Sequence, residues 1–470
     1  MRKFLIIILG LFVFYLPAAM AQETNYIIRD IIVSGNSKTD INIVLRECPV
    51  SINDSIAIVQ LNKCLEKFES NLSKTSLFNF VFVNYQQDSG YVDILVNLEE
   101  RWYFWPYPIL EHAERNLSTF IHNLDMNKIN YGVAADIYNL RGKNETLKLK
   151  LRLGYKEHYS LTYQKNGFGQ HKNSYLRLKM ELFRQKSSEY SVINNIPLYV
   201  SDNDIYIKKD FNFGINYGYR PELSYVFNFG INYKCSVFEN ILFFSDIITS
   251  GDELKSSYIN PYFIFNYDSR NNKIYPVKGV LINLHYGENR SINDITGAYS
   301  TFGLYTQYNQ QIAKSRFSFR SEFTYLIMRD YQHKPILFNN KLEFCRNFWI
   351  RGYELFYFVG NEMIGFQNTV GIKISDFKIH RIATFLPDEF SKTYSRIYLD
   401  LFYDVCRIQS WNNEDSEQNP MNDKLLYSAG IAINLETYYD RLLSIYVAYI
   451  GYSGKTGIFV NYKTPIDKLF

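Results

Sequence analysis

The chain has 470 residues, enough for two or three domains. Its formal net charge of +4, without a basic cluster, gives no argument for nucleic-acid binding. Aromatic residues make up 17% of the chain, with 41 tyrosines and 36 phenylalanines, which is unusual for a soluble enzyme. Outer-membrane barrels are rich in such residues because aromatic girdles lie at both membrane interfaces. The mean hydropathy is slightly negative, and no later apolar run has the roughly 18 residues of a spanning helix, which argues against a helical membrane protein.

The first 21 residues are predicted to be a secretory signal peptide. They contain a positive start at residues 1–3, an apolar stretch over residues 4–16 and a cleavage site of the A-x-A type at residues 19–21. The mature chain should therefore begin at Gln22. An uncleaved anchor is the alternative, but the apolar stretch is short and is followed by Pro17. Export predicts that the protein is periplasmic, secreted or in the outer membrane of a bacterium.

Residues 22–105 are predicted to form a small α+β domain with the element order β-α-α-β-β. The predicted elements are strands over residues 26–33, 80–85 and 91–98, a helix ending near Glu47 and a longer helix over about residues 55–72. The longer helix is amphipathic, because its apolar residues recur at three- and four-residue spacing.

Two stretches of this domain resemble a POTRA domain, namely a first strand that ends in VSGN and a helix that runs into SLFNFVFVNY. The resemblance implies a domain in the periplasm whose second strand lies at a sheet edge. An edge strand offers unpaired N–H and C=O groups to a partner strand. We therefore expect a docking site for an extended peptide or for periplasmic accessory proteins. A spacer that only positions the rest of the chain is the alternative.

Residues 106–470 alternate between apolar and polar residues, as expected for a transmembrane β-barrel of about 16 antiparallel strands. In one predicted strand Leu149 and Leu151 share a face, and Lys148, Lys150 and Arg152 share the other. A wet lumen accepts such charges, whereas a buried soluble core does not. The predicted strands begin near residues 113, 129, 145, 158, 174, 208, 223, 257, 279, 298, 316, 364, 396, 425, 442 and 456. An even number of strands suits a closed barrel, which leaves no edge exposed to lipid.

The lengths of the connections predict the orientation of this barrel. If the chain enters from the periplasm, the connections after even-numbered strands should be short, and several are. The connection after the twelfth strand, at about residues 375–395, is longer than this rule allows. The longest connection, about residues 329–361, follows the eleventh strand and is the sixth outer loop.

This long loop contains the run Ile350, Arg351, Gly352 and Tyr353. In a chain with these other features, the run resembles the (V/I)RG(F/Y) tip of the long loop in BamA-like outer-membrane assembly barrels of the BamA/TamA family. An ordinary outer loop with a solvated arginine is the alternative.

The run FYDVC on the thirteenth predicted strand resembles the F-x-D-x-G element of the same family, with Cys406 where glycine is usual. The resemblance implies that the loop folds into the barrel and that Arg351 meets Asp404 in a charge-assisted pair that locks the loop. Gly352 would then give the loop tip its backbone freedom, and Tyr353 would pack on the lumen wall.

The last predicted strand resembles the C-terminal β-signal of outer-membrane proteins. The matching residues are Lys455, Gly457, Val460 and Tyr462, and the chain ends in Phe470. The sequence departs from the signal by placing residues 464–469 between it and the end. The family resemblance implies that the first and last strands pair weakly and open as a lateral gate.

No cofactor and no metal site are predicted, because the cysteines show no metal-ligand spacing and the seven histidines do not cluster. The five cysteines are Cys48, Cys64, Cys235, Cys345 and Cys406. Cys48 and Cys64 lie in the same predicted domain and are able to pair after export. We favour two buried thiols instead.

The favoured function is an outer-membrane protein assembly or insertion factor, not an enzyme. Its expected partners are unfolded outer-membrane proteins or an exported substrate, periplasmic accessory proteins and outer-membrane lipid, but no nucleic acid. One alternative is a two-partner-type secretion pore with a dedicated substrate. Another is a passive diffusion porin lined by Lys148, Lys150 and Arg152. A barrel enzyme ranks last, since the sequence contains neither G-x-S-x-G nor H-E-x-x-H.

Overall fold

A computed structural model describes most of the chain. The described residues are 25–112, 128–167, 173–202, 204–222, 224–239, 253–292, 297–312, 316–330, 342–343, 350–381, 392–411, 417–437 and 441–463. The predicted signal peptide, residues 1–21, lies outside them. The chain divides into two compact units with a boundary after Trp102, and residues Arg141–Asn144 are grouped with the first unit.

The first unit is a small α+β fold. Its elements are β1 (Asn25–Ser34), α1 (Ile41–Arg46), β2 (Ser55–Ala57), α2 (Ile58–Lys74), β3 (Phe78–Asp88) and β4 (Tyr91–Glu100). The four strands form one sheet in the order β2-β1-β4-β3, with β1 parallel to β4. One face of the sheet packs on α2 through alternating apolar residues. The buried apolar residues include Ile28, Ile31, Leu61, Leu65, Phe68, Leu72, Val92, Ile94, Val96 and Leu98.

Two predictions for this unit are tested by its sheet. Strand β3 lies at a sheet edge, as predicted for the second of the expected strands. The longer helix begins at Ile58, not near residue 55, so the predicted helix start is wrong. Residues 55–57 instead form the short strand β2, because Ile56 pairs with Tyr26 of β1 and both Ile56 and Ala57 are buried there.

The second unit consists almost entirely of β-strands. In chain order they are β5 (Phe104–His112), β6 (Ile129–Leu140), β7 (Glu145–Gly154), β8 (Lys156–Asn166), β9 (Ser174–Gln185), β10 (Ser187–Ile193), β11 (Ile196–Ser201), β12 (Lys208–Tyr219), β13 (Tyr225–Glu239), β14 (Glu253–Asp268), β15 (Gly279–Ser291), β16 (Tyr299–Gln311), β17 (Phe317–Asp330), β18 (Leu342–Glu343), β19 (Val359–Gly360), β20 (Glu362–Arg381), β21 (Lys392–Gln409), β22 (Leu425–Thr437), β23 (Arg441–Ile450) and β24 (Lys455–Lys463).

Sixteen of these strands form one antiparallel sheet, and this confirms the predicted strand number and the barrel fold. Each strand of the sheet pairs with the next one along the chain, while β10–β11 and β18–β19 form two separate small ribbons. Among the described residues no ladder joins β5 to β24, which are the two ends of the strand order. We call the end of the barrel at which β5 begins the entry end, and the opposite end the far end.

The first strand was expected near residue 113, but it begins at Phe104. Its sequence contains Pro106 and Pro108, which cannot donate to a ladder and are tolerated mainly on edge strands. Strand β5 pairs only with β6 among the described residues, so both prolines are compatible with it.

The long connection expected at about residues 375–395 is shorter than predicted, because β20 extends to Arg381 and β21 begins at Lys392. The register between β20 and β21 shifts between Lys373 and Ser375 and again between Phe377 and His380. Such β-bulges interrupt the alternation by which strands are recognised in a sequence.

The two faces of the barrel sheet differ as predicted. On β7 the outward Leu149 and Leu151 are 39% and 43% exposed, and on β13 the outward Phe229 and Ile231 are 52% and 58% exposed. Charged and amide side chains face the lumen. No helix within the described residues is long and apolar enough to cross a membrane.

Candidate functional site inside the barrel

The loop between β17 and β20 folds into the barrel, and we call its residues 350–361 the Arg351 loop. Its turn is closed by hydrogen bonds from the backbone N–H of Tyr353 to the carbonyl of Ile350 and from that of Phe356 to the carbonyl of Tyr353, both 3.1 Å. Ile350 and Tyr353 are 4% and 3% exposed. They join an apolar cluster with lumen-facing residues of the wall, including Met363, Phe402, Cys406, Leu426, Ala432, Tyr446, Ala448, Ile450 and Phe459. We call strands β20–β23, which carry most of these residues, the filled wall.

Arg351 and Asp404 lie in direct contact at the centre of this cluster. Nε of Arg351 donates to Oδ2 of Asp404 at 2.8 Å, and Nη2 donates to Oδ1 at 2.5 Å, so the pair is bidentate. The backbone N–H of Arg351 adds a third bond to Oδ2 at 3.2 Å. The Asp404 side chain is fully buried. Removal of one partner of such a buried pair typically costs about 3–5 kcal/mol, because the other charge is left without compensation.

Three wall residues surround this pair: Phe402, which belongs to the FYDVC run, and two residues of β20 that sequence reasoning did not single out. Thr369 on β20 accepts a bond from Nη2 of Arg351 at 3.1 Å, and Gln367 donates to Asp404 at 3.3 Å. The guanidinium lies 4.0 Å from the centre of the Phe402 ring, a cation–π contact. The arginine is therefore held on its edge by polar groups and on its face by an aromatic ring.

Gly352 allows the loop to approach β23 closely. Its φ is +97°, a conformation that favours glycine. A Cβ at this position would lie 3.1 Å from Cβ of Ala448 and 3.3 Å from Cγ1 of Ile450. The backbone conformation therefore favours glycine, and a side chain here would also press on two residues of β23.

Tyr353 ties the loop to the far end of β22 and β23. Its hydroxyl donates to the carbonyl of Tyr427 at 3.0 Å and accepts from the backbone N–H of Tyr452 at 3.3 Å. Next to it, the buried Glu354 accepts a bond from the backbone N–H of Gly352 at 2.9 Å and one from the hydroxyl of Tyr446. Glu354 follows the recognised tripeptide directly, but nothing in its local sequence predicts burial.

The hairpin β10–β11 reaches over the Arg351 loop at the far end of the barrel. Its turn residues Asn194 and Asn195 both have positive φ, as type I′ hairpin turns require. The fully buried Asn195 accepts from the backbone N–H of Tyr357 through its carbonyl at 2.8 Å, and its own N–H donates to the side chain of Asn419 at 2.9 Å. Asn419 donates in turn to the carbonyl of Val192 at 3.0 Å. The sequence did not predict this hairpin.

We call strands β6–β9 the paired wall, because inward charged side chains on neighbouring strands lie next to groups of opposite charge. Lys148 lies 3.6 Å from Asp136 on β6, and His158 on β8 lies 3.3 Å from Glu181 on β9. The proposed basic row of a porin is therefore interleaved with carboxylates. Among the residues that the structure describes, no group of three or more histidine, cysteine, aspartate or glutamate side chains could hold a metal ion.

The residues of the predicted β-signal lie on β24. Gly457 pairs with Ala448 of β23, while Val460 and Tyr462 share the outward face with Ile458, which is 74% exposed. Lys455 begins the strand, and Phe470 lies outside the described residues.

Cys48 and Cys64 of the first unit are free thiols in the structure, but both are half-buried and not buried as expected. Burial raises the pKa of the Cys48 thiol.

Comparison with known proteins identifies the barrel. The model of the Omp85 superfamily domain matches residues 139–438. The structure is similar to that of BamA from Haemophilus ducreyi lacking POTRA domains 1–3, with 15% identity, a TM-score of 0.55 and coverage of 93% of this chain and 84% of that one. It is also similar to CdiB from Escherichia coli, with 8% identity, a TM-score of 0.53 and coverage of 95% and 91%. At these identities the two likenesses show a shared fold alone. No curated protein sequence matches the chain.

Proposed function

Because the chain belongs to the Omp85 superfamily, a family of outer-membrane β-barrel proteins, we propose that it is an assembly factor that inserts client barrels into the outer membrane without a chemical step. The observation that carries the proposal is the buried, bidentate contact between Arg351 and Asp404. A loop that is folded inward and held by an ion pair whose aspartate is fully buried keeps the wall beside it in one shape. An assembly factor needs a wall of fixed shape beside a seam that opens.

The ends of the strand order supply that seam. Strands β5 and β24 are each paired on one side only among the described residues. Their outward residues Leu110 and Ile458 are 81% and 74% exposed, which suits contact with lipid. Unpaired N–H and C=O groups at such edges are templates for a client hairpin. Clients would add strand by strand at this gate, helped by local thinning of the bilayer.

The Arg351 loop supports the seam from within. It shares its apolar cluster with Phe459 of β24, and its Glu354 accepts a hydrogen bond from Tyr446 of β23, so the loop contributes to the shape of the last strands. The pair of Arg351 with Asp404 then acts as a lock that keeps this core in place. Release of the lock would loosen the last strands and the template they offer.

The first unit is proposed to lie in the periplasm and to receive clients or accessory proteins. Its edge strand β3 has one free side among the described residues, and Phe82 on that strand is 57% exposed. An extended chain that pairs with this edge would gain main-chain hydrogen bonds and an apolar contact.

A two-partner-type secretion pore is the second candidate, and one region of the lumen favours it. The inward faces of β12–β15 carry neutral amides and glycines instead of a dense row of charges. They include Gly214, Asn216, Gly218, Asn228, Gly230, Asn232, Asn260, Asn266 and Asn283. Such a neutral polar surface suits the passage of an extended hydrophilic polypeptide, which would be a dedicated exported substrate.

The test is the folding of an unfolded test barrel into liposomes that contain this protein, its Arg351→Ala variant or its Arg290→Ala variant. Arg290 is a matched control, because it lies on the same barrel but its side chain is 72% exposed. We expect the native protein and the control to accelerate folding and the Arg351 variant to lose the acceleration. No acceleration by the native protein, together with release of a trapped solute, would favour a pore.

A further inference from the structure

The connection between β14 and β15, residues 269–278, crosses the lumen at the entry end, and we call it the entry turn. It is held in shape by its own side chains. Oδ1 of Asn272 accepts from the backbone N–H groups of Ile274 and Tyr275 at 2.7 and 3.1 Å. Oδ1 of Asn271 accepts from those of Val277 and Lys278 at 3.2 and 3.1 Å. These four hydrogen bonds within the turn add to its contacts with other strands.

The tip of the entry turn contacts the filled wall. Tyr275 is 3% exposed, and its hydroxyl donates to Oδ1 of Asp400 on β21 at 2.5 Å. Its ring stacks on that of Tyr398, with centroids 3.7 Å apart and an interplanar angle of 17°. Asn272 donates to the buried Glu436 on β22 at 2.6 Å. Along the sheet, β15 and β21 are four strands apart, roughly 19 Å at the usual strand spacing, so the turn spans a chord of the barrel.

The contact is reinforced by a charge and by apolar packing. Arg320 on β17 lies 5.1 Å from the centre of the Tyr275 ring and 3.4 Å from Oδ2 of Asp400. Asn434 on β22 donates to the same oxygen at 2.9 Å. A small cluster of Tyr275, Tyr398 and Leu442, with Ile274 and Val277 against it, surrounds these polar groups. Groups from β14–β15, β17, β21, β22 and β23 therefore meet at one point.

We propose that the entry turn is a second interior brace, which ties β14–β15 to β21–β22 and makes the wall from β14 to β23 one rigid body. Asp400 and Asp404 share the inward face of β21, four residues or roughly 13 Å apart. The Arg351 loop binds Asp404 from the far end, and the entry turn binds Asp400 from the entry end. Strand β21 is thus bound by the Arg351 loop from the far end and by the entry turn from the entry end, and both segments are distant from it in sequence. This proposal does not rest on the assembly function.

The test is hydrogen–deuterium exchange of the full-length protein in detergent micelles, compared with Tyr275→Ala. We expect amides of β21 and β22 to exchange roughly tenfold faster or more, although they lie over 100 residues away in the chain, while β7–β9 stay unchanged. Tyr286→Ala is the matched control, because that tyrosine lies on β15 but faces outward. It should leave β21 unchanged.

Tyr275→Phe keeps the stacked ring and is expected to fold even if the alanine variant does not. It should give a smaller rise at the same β21 amides, because only the bond to Asp400 is lost. A rise confined to the entry turn and β14–β15, an even rise over all strands, or no rise at β21 in either variant would each overturn the proposal.

Discussion

The paired wall and the filled wall treat inward charges in different ways. On the paired wall, Glu181 lies against His158 of the adjacent strand and against the half-exposed Lys179 of its own strand. On the filled wall, Asp404 is fully buried and bound by a segment that enters from outside the wall. A pair of this kind links residues of strands that the backbone ladder already joins. The pair of Arg351 with the buried Asp404, by contrast, holds a whole loop in position inside the barrel. Charge pairs on the paired wall line the lumen, whereas this pair on the filled wall determines where a segment of the chain lies.

The largest effect on stability is expected for Asp404→Asn. The substitution keeps the size of the side chain but leaves the Arg351 guanidinium without its counter-charge among apolar residues. The free energy of unfolding should fall by about 3–5 kcal/mol. Denaturant unfolding in lipid vesicles, followed by tryptophan fluorescence, measures the change. A loss below about 1 kcal/mol, the usual value of an exposed pair, would erase the contrast between the walls.

A smaller but still large loss is expected for Gly352→Ala. The added methyl meets Ala448 and Ile450 and forces a positive φ on alanine. The expected cost is about 1–3 kcal/mol, by the same unfolding measurement. Gly454→Ala is the control, because Gly454 also has a positive φ but nothing lies within 4 Å of the position that an added Cβ would take. Equal losses in both variants would show that backbone strain alone, and not contact with the wall, requires Gly352.

Asn195→Ala tests the hairpin that covers the filled wall. It removes side-chain bonds to the backbone N–H of Met421 and to the carbonyl of Tyr357, and all three residues are buried. The expected loss is about 1–3 kcal/mol, because buried backbone groups lose their partner. Protease cleavage in β10–β11 should also become faster. Unchanged cleavage would mean that the hairpin is held by its other contacts.

The smallest effect is expected on the paired wall, for Lys179→Ala. Its side chain is 51% exposed, and Glu181 keeps His158 as a partner. The change in unfolding free energy should be within about 1 kcal/mol and should shrink with added salt. A loss as large as that of Asp404→Asn would show that ion pairs on the paired wall stabilise the fold as strongly as the pair on the filled wall.

Much of the barrel could be predicted from the sequence, because alternation directly reflects which face meets lipid. Prediction from this alternation failed where prolines or β-bulges interrupt the pattern. The first strand was predicted too late in the chain because Pro106 and Pro108 are unusual in a strand. The end of β20 was predicted too early because of the bulges near Ser375 and Phe377. These are local irregularities in otherwise periodic strands.

Within the site, only residues that belong to the two short motifs, IRGY and FYDVC, could be predicted from the sequence. Arg351 and Asp404 were paired from a family resemblance, whereas Thr369 and Gln367 are ordinary inward residues of a strand. The entry turn was not predicted, because Tyr275 meets Asp400 across the lumen and no periodicity links residues 125 positions apart. Contacts of this kind depend on the curvature of the whole sheet, which brings distant strands to face each other and which the local sequence does not encode.

The central claim is that the contact between Arg351 and Asp404, and not either residue alone, supports assembly. The most direct measurement is a double-mutant cycle on the rate at which liposomes containing this protein fold a test barrel, using Arg351→Ala, Asp404→Ala and both together. We expect each single variant to slow folding, and the double variant to be no slower than the worse single one. Reductions that multiply in the double variant, or single variants as fast as the native protein, would contradict it.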